Sequence, residues 1–285
     1  RQRQQLIGLR ETQQLGNALL SLSQGLATAS SPEEVLRQGA QAISLALGQP
    51  TVVIDYAHTP DALEQASAQT GARVLVAMPN LQNPTGAVMS PGRRADIAGV
   101  IRRAGLTLVE DDVYGSYSGQ PPLVADLEGQ HVLISSLSKS VSPALRFGFA
   151  IGNHSVLDRI RKEAATASWF VAPLPMMTAT RMIEDRSAMR LASQQTEEIA
   201  RRWCIVARFF PGLAAAPACH FWLPVAESQT FESRALSLGV RVVQDDFFAA
   251  TRQCSRHVRV SISAEPWDRL LTGLTTIAAL AGGRA

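Results

Sequence analysis

Lysine is almost absent from this 285-residue chain: of 27 basic residues only Lys139 and Lys162 carry an amine, and all the others are arginine. Chemistry that needs a side-chain amine must use one of these two. Cysteine is scarce as well. Cys204, Cys219 and Cys254 are odd in number, far apart and form no Cys-x-x-Cys pair, which argues against a disulfide framework and against a zinc site; reduced structural thiols are expected. Long apolar runs are missing, since stretches such as Leu106 to Val109 or Thr275 to Ala281 fall far short of the roughly 20 residues that cross a bilayer. The opening Arg-Gln-Arg-Gln-Gln lacks the apolar core and small-residue cleavage site of a secretory leader, so the cytoplasm is the expected compartment. Runs of one charge are missing too. The net charge is +3 with a pI near 9.0, and the arginines are interspersed with carboxylates, which gives no compositional case for nucleic acid. What is present, 46% hydrophobic and 18% charged residues, excludes disordered and collagen-like classes and suits one large domain with a smaller one.

Residues 1 to 31 are rich in Gln and Leu at helical spacing, and Ser30-Ser31-Pro32-Glu33-Glu34 reads as a helix or loop start. An alternation follows. Gly39-Ala40-Gln41 leads a helix to about Leu47, Thr51 to Asp55 reads as a strand and Pro60 to Thr70 as a helix. Arg73 to Met78 is a buried strand, Pro91 to Ala104 a helix, and Leu106 to Asp111, His131 to Ser136 and Phe147 to Ile151 are strands. Short β-branched runs between amphipathic helices imply a mostly parallel sheet covered on both faces, an α/β fold. The chain then reads as helical from Val156 to Phe210, with breaks near Pro173 and Pro175. Strands near His220 to Leu223, Val240 to Val243 and Val258 to Ile262 and a closing helix over Pro266 to Ala281 complete a smaller α+β unit. The expected division is a large domain over 1–189 and a small one over 190–285.

Chemistry concentrates at a few strand ends. Ser135-Ser136-Leu137-Ser138-Lys139-Ser140, then Pro143-Ala144-Leu145-Arg146-Phe147-Gly148, follows a strand. A lysine leaving a buried strand among hydroxyls is expected to be poorly solvated, which favours the neutral, nucleophilic amine; alone, it reads rather as a surface-loop lysine. Pro79-Asn80-Leu81-Gln82-Asn83-Pro84-Thr85-Gly86 also follows a strand and sets Asn83 at the carboxyl edge, where α/β sheets place ligands, although Asn-Pro-Thr-Gly alone is a turn. Glu110-Asp111-Asp112-Val113-Tyr114 brings carboxylates and a phenol to the same edge, and alone fits a metal site or a solvated strand end. Gly39-Ala40-Gln41 at a helix start offers free amides and a dipole to an anion.

In this order the segments resemble fold-type I, pyridoxal-phosphate (PLP)-dependent aminotransferases of class I/II. They are most similar to the aminotransferase-like domain of GntR/MocR bacterial regulators, from about Pro32 to the C-terminus. The resemblance implies PLP held as a Schiff base on Lys139, which also moves the proton between substrate Cα and cofactor. It implies Asp111 on the pyridinium nitrogen, and Asn83 and Tyr114 on the cofactor's 3′ oxygen. Ser136, Ser138 and Arg146 would hold the phosphate with the amides of Gly39, Ala40 and Gln41. Arg259, in His257-Val258-Arg259-Val260-Ser261, matches the arginine that grips the substrate α-carboxylate, which a guanidinium fork reads bidentately; Asn83 shares that substrate. No metal is implied. The expected activity is amino transfer between an amino acid and a 2-oxo acid, in a homodimer. The alternative is a PLP-binding effector domain of a MocR-type regulator.

The sequence departs from the family between Gly39 and Asn83, where a longer stretch normally carries a strand pair and the aromatic group that stacks on the cofactor. Tyr56 and His58 lie in this stretch, but neither sits in the family's context for that role and neither is expected to fill it. The regulators' winged helix-turn-helix has no room in residues 1 to 31.

Overall fold

The computed structural model describes residues 51–53, 59–129, 131–167, 172–213, 216–248 and 256–282. Its larger sheet runs β1 (Thr51–Val53), β2 (Val74–Ala77), β3 (Thr107–Asp111), β4 (His131–Ser136), β5 (Gly148–Gly152), in that spatial order. The first four strands are mutually parallel and β5 is antiparallel to β4. The connecting helices begin and end where local chemistry dictates. In α1 (Pro60–Thr70), Thr59 accepts a hydrogen bond from the Ala62 amide at 3.1 Å, proline fills the first turn, and Gly71 ends the helix at φ 67°. In α2 (Pro91–Ala104), Ser90 and Gly105 repeat the arrangement, the pairing of N-terminal proline with C-terminal glycine that helix ends favour.

Strand alternation explains the two-faced core. Leu75, Ala77 and Leu108 pack on Leu63 of α1 and Ile97, Val100 and Ile101 of α2, while Val74, Val109 and Val132 turn to the opposite face against Val156 of α5 (His154–Ala167). The expected α/β class, with helices on both faces of a mainly parallel sheet, is observed.

The helical stretch expected over Val156 to Phe210 is three helices, α5, α6 (Pro173–Glu184) and α7 (Ser187–Phe209). The second break carries no glycine or proline. Arg186 takes the left-handed conformation at φ 62° and Asp185 accepts from the Ser187 amide at 2.9 Å, so a side-chain turn does the work. Residue 190 lies inside α7. The C-terminal sheet is antiparallel in the order β6 (His220–Pro224), β8 (His257–Ser261), β7 (Val243–Gln244). β7 is shorter and later than the expected Val240–Val243: Val240 instead ends the turn after α8 (Ser228–Ser237), donating to the Ala235 carbonyl. α7, α8 and α9 (Trp267–Leu280) cover this sheet through Trp203, Phe231, Leu270, Leu274 and Ile277. The same cluster takes in Leu81, Tyr114 and Tyr117 from beyond the large sheet, so the two sheets share a core beside the strand ends that carry the chemistry. Among the described residues no helix is long and apolar enough to cross a membrane.

Candidate active site

Glu110, Asp111 and Asp112 are consecutive, yet their carboxylates serve three separate tasks because a strand and the turn after it aim successive side chains apart. Glu110 points down and is fully buried. Its two oxygens accept the amides of Leu123 and Val124, both at 2.8 Å, and burial pushes its pKa up to about 7 against those two donors. Asp112 accepts from Asn80 Nδ2 at 2.8 Å. Asn80 in turn accepts from the buried Arg94, whose guanidinium also holds the carbonyls of Met89 and Pro121. Asp112 and Gly115 are so close that a Cβ at Gly115 would overlap the carboxylate; only glycine fits there. Glu110 and Asp112 are therefore supports, which removes the metal-site reading of the acidic triplet. Among the described residues no cluster of His, Cys, Asp and Glu is placed to hold a metal ion.

Asp111 faces the site. Val113 donates its amide to Asp111 Oδ1 at 3.2 Å, and burial raises the carboxyl's pKa while that hydrogen bond and the Lys139 cation oppose the rise. Lys139 sits on the one-turn helix α4 (Leu137–Ser140) immediately after β4, with Ser136 capping it by accepting the Ser138 amide at 3.1 Å. Its Nζ lies 5.5 Å from the ring centroid of Tyr114, which heads the one-turn helix α3 (Gly115–Ser118). Lys139 is exposed rather than poorly solvated. β4 itself is only partly buried, with Val132 enclosed but Ile134 40% exposed, so the turn after it opens onto an exposed face rather than the buried strand end the sequence suggests.

Asn83, in the turn after β2, accepts from Arg259 Nη1 at 2.9 Å, a hydrogen bond across 176 residues of chain. Arg259 stands on β8 opposite Trp222 and lies over the Phe248 ring at 4.7 Å. The structure thus gathers Asn83, Asp111, Tyr114, Lys139 and Arg259 at the carboxyl edge. Ser136 and Ser138 share the lysine's turn. Arg146 is exposed at the end of the short 3-10 turn Pro143–Leu145, with φ 45°. Gly39, Ala40, Gln41, Tyr56 and His58 lie outside the described residues.

His220 was not singled out in the sequence. It opens β6, is 2% exposed, and meets the Tyr114 ring edge-on at a centroid distance of 5.5 Å. Its Nε2 is buried without a hydrogen-bond partner. Burial, with help from the Arg259 and Lys139 cations, pushes its pKa down to about 4, so the ring is neutral near pH 7. Its signal was a lone histidine at the head of an apolar run, which sequence alone reads as core. The low value makes a stability prediction. Between pH 6.5 and 4 the unfolded chain takes up a proton that the folded one refuses, so the His220 contribution is whole above 6.5 and lost as pH falls to about 4, a swing of roughly 3 kcal/mol. Glu110 acts in the opposite sense, its contribution present below pH 4.5 and lost as pH rises through about 7. His220→Phe should therefore raise thermal midpoints at pH 4.5 relative to pH 7. Identical pH profiles for the variant and the unaltered chain would refute the assignment.

A mainly parallel α/β sheet with amine, acid, phenol, amide and guanidinium at its carboxyl edge defines the class: the fold-type I architecture of PLP-dependent transferases. The donor set suits that cofactor, with an amine for its aldehyde, a carboxylate for its ring nitrogen, and an amide and a phenol for its ring oxygen. The family model of aminotransferase class I and II matches residues 38–217, and the chain belongs to this family. It is 29% identical over 215 residues to the HTH-type transcriptional regulator YdeF of Bacillus subtilis, covering 72% of this chain and 46% of that protein. It is 28% identical over 139 residues to the 2-aminoadipate transaminase of Thermus thermophilus, covering 46% of this chain and 35% of the other. Among solved structures, the α-aminoadipate aminotransferase LysN of Thermus thermophilus, complexed with N-(5′-phosphopyridoxyl)-L-leucine, superposes with a TM-score of 0.68 at 22% identity over 78% of this chain and 62% of that one. The chain spans less than half the length of the curated relatives it matches.

Proposed function

We propose that the chain binds PLP through Lys139 and transfers an amino group between an amino acid and a 2-oxo acid. The observation that carries this reading is the meeting of Lys139, Asp111 and Tyr114 with the Asn83–Arg259 pair at one sheet edge. When bound, the cofactor supplies a conjugated electron sink for the pair left behind when the substrate Cα–H bond breaks. The protein's groups do the rest. Lys139 Nζ would hold the cofactor and would move the proton between the substrate Cα and the cofactor, first as general base and then as general acid. Asp111, an acid made more basic by burial, keeps the proton on the ring nitrogen. Tyr114 and Asn83 orient the ring oxygen, and Arg259, pre-aimed by Asn83 and Phe248, takes the substrate carboxylate in a bidentate grip.

Ser136, Ser138 and Arg146 are proposed to bind the phosphate together with Gly39, Ala40 and Gln41, and residue 190 to mark the division between the large and small domains. A cytoplasmic homodimer fits this reading. Leu174, Met177, Ile183 and Met189 on α6 and the start of α7 are exposed, as a subunit interface requires. The test is a two-stage one: an amino acid should convert bound PLP to its aminated form, and a 2-oxo acid should restore it.

A second reading is favoured by one observation, the likeness to HTH-type regulators such as YdeF. In it the same site binds PLP and an amino acid to control a partner domain, without turnover. Loss of the original spectrum with no return on adding any 2-oxo acid would favour that reading over amino transfer. The chain is not proposed to contact nucleic acid itself.

A further inference from the structure

We infer that Tyr117 is a positioning residue for Lys139: its phenol donates to the Lys139 backbone carbonyl and fixes the one-turn helix from which the amine works. The inference rests on the reading of Lys139 as the cofactor lysine.

The geometry of α4 creates the need. A four-residue helix leaves its last carbonyls without helical partners. The amides of Val141 and Ser142 both return to the Leu137 carbonyl, at 2.9 and 3.0 Å, so neither reaches Lys139. The hydroxyl of Tyr117 supplies that donor. Tyr117 is buried, 7% exposed, and stands three residues after Tyr114, to whose carbonyl its own amide donates at 3.0 Å. One residue thus ties the turn that bears the amine to the turn that bears the phenol beneath it, and the 5.5 Å placement of Lys139 over Tyr114 follows from that tie. The buried Cys219 thiol, just before β6, interacts with the same hydroxyl. Burial raises the Tyr117 pKa well above its ordinary range and the Cys219 pKa to about 11, so both keep their protons at working pH and Tyr117 remains a donor.

An amine that must attach, detach and carry a proton while its Cα stays in place needs its backbone held from outside the helix. Tyr117→Phe removes only the hydroxyl and leaves the ring packed. In the full chain with added PLP, the variant should attach the cofactor about tenfold more slowly, while its thermal midpoint falls by no more than a few degrees, as expected when one part-buried carbonyl loses its donor. The pH midpoint of its near-visible absorption band should also be displaced. Without PLP, hydrogen exchange at the Val141 and Ser142 amides should accelerate while β2 and β3 are unchanged. Unaltered attachment, band midpoint and exchange would overturn the inference. So would faster exchange throughout the chain with a thermal midpoint lowered well beyond a few degrees, which would mark Tyr117 as core only. If the unaltered chain itself gives no band with PLP, the cofactor reading fails, and the local exchange at Val141 and Ser142 still decides whether Tyr117 holds the turn.

Discussion

Lys139→Ala is expected to reduce amino transfer by about 10⁴-fold, the upper end of what a single positioned acid–base group contributes, and to remove covalent attachment of PLP altogether. The expectation follows from scarcity as much as from geometry. The chain has one other lysine, Lys162. It belongs to α5, a helix that packs on a face of the large sheet through Val156, Leu157 and Ile160, whereas Asp111, Tyr114 and Arg259 gather at the sheet's carboxyl edge. Lys162 is therefore not expected to compensate. Because Lys139 is exposed and its backbone contacts do not involve its side chain, the variant should fold with an unaltered thermal midpoint. The measurement is the rate at which bound cofactor gains and loses the amino group, compared in the two proteins. A variant within tenfold of the unaltered chain would remove Lys139 from the chemistry.

Asp111→Asn should give the second largest effect, a fall in amino transfer of roughly 10² to 10⁴-fold. That corresponds to the roughly 3–5 kcal/mol lost when one partner of a buried charge pair is removed. Asparagine keeps a carbonyl oxygen to accept the Val113 amide, so the turn into α3 should survive. What disappears, on the proposed role of Asp111, is the negative charge that would hold a proton on the cofactor ring and so sustain the ring as an electron sink. Attachment through Lys139 should persist. The distinguishing result is therefore a split, with covalent loading retained and turnover lost; parallel loss of both would point to a folding defect and contradict the assigned role.

The site residues most readily read from sequence were those that sit at strand ends within short local motifs. Asn83 after β2, Asp111 and Tyr114 after β3 and Lys139 after β4 are brought together by the parallel sheet alone, once the strands are recognised. Arg259 required more, since its meeting with Asn83 bridges two sheets, and only resemblance supplied it. His220 and Tyr117 escaped because their contacts are entirely tertiary. A histidine before an apolar run and a tyrosine three residues after another tyrosine look like core, which they also are. Residue spacing does not reveal that the carbonyl of Lys139 lacks a helical donor. The exposure of Lys139 is hidden from the sequence for a related reason: the apolar run of β4 looks buried, but what covers it is set by tertiary packing, and Ile134 is 40% exposed. The break at Arg186 was missed because a side-chain cap, rather than glycine or proline, reverses the chain there.

Chemical trapping tests most directly whether Lys139 holds PLP. Borohydride reduction of the PLP-loaded chain, followed by proteolysis and mass measurement, should place a single phosphopyridoxyl group on the peptide containing Lys139 and none on the peptide containing Lys162. Label on Lys162 alone, in equal amount on both, or on neither would contradict the account.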